Sequence, residues 1–416
     1  MRNEPGAMSR TVAHGLRCAA LLALIVPRAL IADSPRPPAA PSAPTQAAPT
    51  PAARAQPAPA QPVQPRETQP LQEPLPAGLR PLEGDYVISN FRFASGEALP
   101  EVRLHFMTLG KPRRDEHGRV TNAVLLLHGT GGSGRSFLTP RFAGVLFGKG
   151  QLLDVARYYI ILPDALGHGA SSKPSDGLHA HFPQYDYEDM VSAQYALLTQ
   201  SLSIDHLRLI LGTAMGCMHT WLWTEQYPGF MDAAMPLACL PVPIAGRNRL
   251  WRDLVVDSIR TDPEWLGGEY RSEPMQALHA AAGFLLIARS APIQMQTALP
   301  TPDAADEFLK VYMDREIPDL DANDLLYQIS ASRDYDASGG LDKIQARVMW
   351  VNSADDFVDP PDLGIAEREV KKIRNARFVL LPASEQTHGQ STDSWAAVWQ
   401  QYLSELLAAT QAKPAG

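Results

Sequence analysis

Cysteine is scarce in this chain: Cys18, Cys217 and Cys239 are the three in 416 residues. They form no C-x-x-C pair and no His/Cys cluster at metal-ligand spacing, which excludes a zinc site as an organising element. Basic blocks are missing too. The formal net charge is −8 and aromatic residues make up 7%, with no Lys/Arg run interleaved with aromatics, so nucleic acid is excluded as a partner. The apolar run CAALLALIVPRALIA, starting at Cys18 and interrupted by Pro27 and Arg28, is too short to span a bilayer, and no stable membrane span is expected. Arg10 and Arg17 precede it and small residues end it near Ala32. It reads as a secretory signal peptide over 1–32, which places the protein in the periplasm or outside the cell. Cleavage would leave Cys217 and Cys239, expected as buried free thiols, although an oxidising compartment would let them pair.

Proline, by contrast, is abundant: 37 residues, too many for one globular domain and unevenly spread. Residues 33–80 are Pro/Ala-rich and nearly free of branched and aromatic side chains. Such a segment cannot bury enough apolar surface to offset chain entropy and reads as a disordered or polyproline-II tether. The remainder, 81–412, is the folded domain.

Within it, DYVISNFRF and EVRLHFMTLG read as antiparallel strands, and AVLLLHGTGGSG and YYIILPDALGHGASS as buried strands ending in Gly-rich loops. YEDMVSAQYALLTQSLSI is a helix leading into the strand of LRLILGTAMG. This alternation predicts an α/β fold, a mostly parallel sheet with helices on both faces. Amphipathic helices then interrupt the rhythm and predict an inserted helical cap at about 243–340. The sheet resumes with ARVMWVNSADD and ARFVLLPAS, and SWAAVWQQYLSELLA closes the domain as a helix.

Chemistry concentrates in RLILGTAMGCMHTW. A strand, a Gly-x-x-x-Gly turn and a helix are the mounting of a nucleophilic serine, but the central residue is Ala214. An acyl-transferring site also needs an acid, an imidazole and two oxyanion N–H donors, with the acid and histidine following the nucleophile in the chain. Asp356 in SADDFVDPP and His388 in PASEQTHGQST stand in that order. The N–H groups of Thr130, in HGTGG, and of Met215 are the candidate oxyanion donors. His128 and His168 lie in loops that give them a structural reading. Trp221, Trp223 and Trp251 read as core or cap lining, and Asp314 and Glu316 as a solvated face.

The blocks YEDMVSAQYALL, GTAMGCMHTWLWTEQYP, IRTDPEWLGGEY, DANDLLYQISASRDYD and SADDFVDPP together resemble the homoserine O-acetyltransferase-like branch of the α/β-hydrolase superfamily, over roughly 84–407. The resemblance implies an α/β-hydrolase fold with a cap, a serine at 214, an aspartate at 356 and a histidine late in the chain. Close relatives carry T-R-G-H-G-T as the last block. Laid without gaps on THGQST, it puts the family histidine at Gln390 and the family arginine at His388. Glutamine cannot take a proton from a nucleophile at neutral pH. The elbow continues GCMH, with Cys217 and His219, where homoserine acetyltransferases have G-G-M-Q, so homoserine specificity does not carry over. Acetyl-CoA is cytosolic, and no cofactor is expected for an exported chain.

Three readings follow. In the first, the protein is a catalytically impaired member that binds an acyl or ester-like small molecule in a retained pocket. In the second it is a working hydrolase of an ester, lactone or amide, either through His388 and Asp356 or because a serine at 214 was deliberately replaced. The third is a periplasmic scaffold that binds a protein through its cap.

Overall fold

The computed structural model describes residues 79–410. The signal-peptide reading and nearly all of the tether reading lie outside the described residues. Eight strands form one sheet: β1 (Leu82–Arg92), β2 (Ala98–Leu109), β3 (Ala123–Leu127), β4 (Tyr159–Pro163), β5 (Leu209–Thr213), β6 (Ala233–Leu237), β7 (Arg347–Ser353) and β8 (Ala376–Leu381). Their order is β1-β2-β4-β3-β5-β6-β7-β8. β1 and β2 pair antiparallel, β2 meets β4 antiparallel, and every other pairing is parallel.

The central strands AVLLL, YIILP, LILGT and AAMPL are buried at every position, as parallel strands covered on both faces must be. Alternate side chains serve opposite faces. Leu125, Leu127, Ile161 and Ile210 join one core, while Val124, Leu126, Ile160, Leu162, Leu209 and Leu211 join the other.

The helices are α1 (Ala143–Leu146), α2 (Tyr187–Ala196), α3 (Met215–Gln226), α4 (Gly246–Thr261), α5 (Met275–Arg289), α6 (Pro292–Ala298), α7 (Pro302–Glu316), α8 (Ala322–Ser330), α9 (Ile365–Glu369) and α10 (Ala396–Ala409). Trp221 and Trp223 of α3 are buried in the first core, and Trp399 and Leu403 of α10 in the second. Asp186 and Asp321 cap α2 and α8, accepting from the N–H groups of Asp189 and Asp324, the usual remedy for unpaired donors at a helix start. Helices α4 to α8 all fall between β6 and β7, and α4 packs on α5 and α8. No described helix is long and apolar enough to cross a membrane.

The cysteine expectation is corrected. Cys217 and Cys239 form a disulfide, with Cα atoms 5.9 Å apart, inside the usual bridging range. The parallel pairing of β5 with β6 is what brings them together: the first turn of α3 lies beside the residue two positions past β6. Their separation of 22 residues carries no sign of this. Replacing both cysteines by serine should destabilise the domain by about 3 kcal/mol, the loop-closure value for such a span. Urea denaturation checks this, and an unchanged midpoint would mean that the bridge constrains nothing.

Candidate functional site

β5 ends at Thr213, α3 begins at Met215, and Ala214 makes the turn between them with φ 48° and ψ −108°. This is a strained conformation for a residue carrying a Cβ. Two bonds hold it: the Ala214 N–H donates to Leu237 O at 3.0 Å and Met218 N–H donates to Ala214 O at 3.2 Å. The turn closes because its neighbours lack side chains. A Cβ on Gly212 would lie 1.9 Å from Gly216 O, and one on Gly216 would lie 2.0 Å from Leu127 O.

The loop after β3 faces this turn. Ala165 N–H donates to His128 Nε2 at 3.0 Å, so Nδ1 carries the proton and donates to Gly129 O at 2.8 Å. Burial pushes His128 down from its ordinary pKa, against the pull of Asp164. It pushes His168 down to about 3, helped by His128. Both rings are neutral, buried loop supports. His219 is also buried, with burial, His128 and His168 all lowering its pKa. The Thr130 and Met215 N–H groups donate to no other backbone group among the described residues.

Beyond β7, the Asp356 carboxylate accepts from Val358 N–H at 2.7 Å and Asp359 N–H at 3.2 Å through Oδ1, while Oδ2 has no partner among the described residues. Burial drives its pKa well above the usual carboxylate range, and Asp359 adds to the shift. The 387–390 loop lies against the same turn. Thr387 Oγ1 donates to Asp355 Oδ2 at 2.8 Å, and a Cβ on Gly389 would come within 3.2 Å of Asp355 O.

From that loop Gln390, 8% exposed, donates through Nε2 to Ala238 O at 2.8 Å. Its Oε1 is buried without a donor. His388 points elsewhere, stacked on Trp395 with ring centroids 4.1 Å apart and planes 13° apart. Burial lowers its pKa, opposed by Asp355.

A cavity of about 560 Å³ brings four of the candidates together: Thr130, Ala214, Met215 and Gln390 line it, whereas Asp356 and His388 do not. It also holds residues that sequence reasoning missed. Arg252 is 4% exposed, donating through Nε to Asn248 Oδ1 at 3.0 Å and through Nη1 to Ser332 Oγ at 3.2 Å. Asn248 Nδ2 donates to Asp359 Oδ1 at 3.3 Å. Burial raises Asp359 to about 7 against the pull of Arg252, and raises Asp393, on the same cavity, to about 7. The signal for Arg252 was there: it shares the buried stripe of α4 with Val255 and Ile259, where an amphipathic helix otherwise puts apolar residues. The described residues contain no group of three or more His, Cys, Asp or Glu that could hold a metal.

Comparison with known proteins fits this architecture. The chain is similar to a probable acyltransferase of Methanothermobacter thermautotrophicus, 28% identical over 279 residues, covering 67% of this chain and 84% of the relative. It is similar to a homoserine O-acetyltransferase of Pelobacter propionicus, 28% identical over 326 residues, covering 69% and 85%. Among solved structures, a homoserine O-acetyltransferase from Bacillus anthracis superposes with a TM-score of 0.69 at 19% identity, covering 79% of this chain and 97% of that one, a likeness of fold. Residues 122–386 match the family model described as alpha/beta hydrolase fold, and the chain belongs to that family.

Proposed function

We propose that this is an exported protein descended from serine hydrolases or acyltransferases, catalytically impaired as its sequence stands, whose retained pocket binds a small molecule of acyl or ester type. Ala214 carries the reading. It occupies the strained strand-to-helix turn where the family's mechanism needs a hydroxyl, and a methyl group cannot be acylated. Gln390, which lines the same cavity, supports it, since an amide cannot act as a general base. Magnitudes explain why two defects coexist: losing the nucleophile or the histidine of a triad costs on the order of 10⁶ in kcat, and losing both costs about the same. Export is supported by the Cys217–Cys239 bridge, of a kind that persists in oxidising compartments.

The test is hydrolysis of p-nitrophenyl acetate by the purified protein. The expected rate stays within the roughly 10³-fold over water that oxyanion donors and binding alone supply. Saturable turnover on the order of 10 s⁻¹, ordinary for an enzyme, would overturn the proposal.

A further inference from the structure

We propose that the cavity beside Ala214 is a carboxylate receptor, one ligand oxygen taking the Thr130 and Met215 N–H groups and the other taking the remaining N–H of the Gln390 amide. This rests on the reading of the site as a retained pocket without a nucleophile, and it names the ligand's head group.

Gln390 Nε2 uses one hydrogen on Ala238 O. The opposite assignment of the amide would set Oε1 against that carbonyl oxygen, so the orientation is determined. The second Nε2 hydrogen is left for the cavity that Gln390 lines. Oε1 is shut inside the protein with no donor. An imidazole here would present a proton acceptor to the cavity, whereas the amide presents a donor.

Ala214 removes the hydroxyl that would have met the imidazole. The Met215 N–H opens α3, a helix of 12 residues, and such a terminus favours negative charge. Arg252, buried and lining the same cavity, adds a full positive charge. An ester carbonyl uses two of the three N–H donors and brings no charge. A carboxylate uses all three, and hydrogen bonds to an ionised acceptor are the stronger kind. The rest of the wall suits an alkyl chain: Leu240, Val242, Ile244, Trp251, Leu285 and Leu363.

The charged groups on the cavity are Arg247 and Arg252 of α4, Arg289 of α5, Asp359 and Asp362 after β7, and Asp393 before α10. Asp359 and Asp393 both stand near 7 because they are buried. A bound anion favours their protonated forms, so binding takes up protons and strengthens as pH falls from 8 to 6. The ligand stays ionised through that window, as an ordinary carboxylate does.

Isothermal titration of the full chain with octanoate, methyl octanoate and octanamide at pH 6 and pH 8 decides the matter. Octanoate should bind at least about tenfold more tightly than either neutral analogue, and more tightly at pH 6 than at pH 8. Gln390→Met, which keeps the bulk and removes the N–H, should erase most of that preference, with a melting curve to verify its fold. If that variant fails to fold, the three ligands on the unaltered protein still give the answer. Methyl octanoate binding as well as octanoate would overturn the carboxylate assignment and leave the acyl pocket standing. No binding by any of the three would overturn both.

Discussion

Ala214→Ser should leave ester hydrolysis weak, and Ala214→Ser combined with Gln390→His should exceed it by about 10² to 10⁴, the contribution of a positioned general base. The single change restores a hydroxyl on a turn already at φ 48° but leaves an amide, not an imidazole, at position 390 of the same cavity. The double change puts an imidazole on the cavity wall in place of the amide. Asp356 has a buried oxygen without a donor, and a donor there would let it ionise. Because a triad acts as a unit, the gain from both changes should far exceed the product of the separate gains. Stopped-flow or plate kinetics with p-nitrophenyl acetate reads this directly. Rapid hydrolysis by Ala214→Ser alone, abolished by adding His388→Ala, would make His388 the working base despite its stack on Trp395.

Gly216→Ala should be strongly destabilising. Its Cβ would sit 2.0 Å from Leu127 O and 2.8 Å from Leu127 Cβ. Relief requires α3 to move off β3, because the obstacle is backbone. The expected loss exceeds about 4 kcal/mol, the range reserved for overpacking with no room to relax. Gly229, where a Cβ meets nothing within 4 Å, is the control: Gly229→Ala should change stability by no more than about 0.5 kcal/mol. Denaturant midpoints for the two variants settle it. Equal midpoints would mean that the close approach of α3 to β3 is not what holds the turn.

The two glycines around Ala214 were legible in the sequence because the turn needs them there: a Cβ on Gly212 would meet Gly216 O, and one on Gly216 would meet Leu127 O. The central strands were legible for a similar reason, since an unbroken apolar run such as AVLLL has no polar face to show solvent. Which of His388 and Gln390 reaches the cavity was not. The two stand two positions apart in a loop whose path depends on Thr387 bonding Asp355 and on Gly389 at φ 58°, contacts between segments far apart in the chain. The Cys217–Cys239 bridge was hidden likewise, because it depends on which strand lies beside β5. Arg252 was overlooked because a guanidinium in an apolar stripe looks like an interruption until Asn248, Ser332 and the cavity are seen around it.

With Ala214 on the strand-to-helix turn, the nucleophile position of this cavity offers nothing that can be acylated. Intact-mass spectrometry after incubation with a fluorophosphonate tests it most directly, since the reagent forms a covalent bond with an activated serine and needs no knowledge of substrate. The account predicts an unchanged mass for the protein as it stands, and stoichiometric labelling at position 214 in Ala214→Ser with Gln390→His. A shifted mass in the unaltered protein, mapped to any serine, would contradict it.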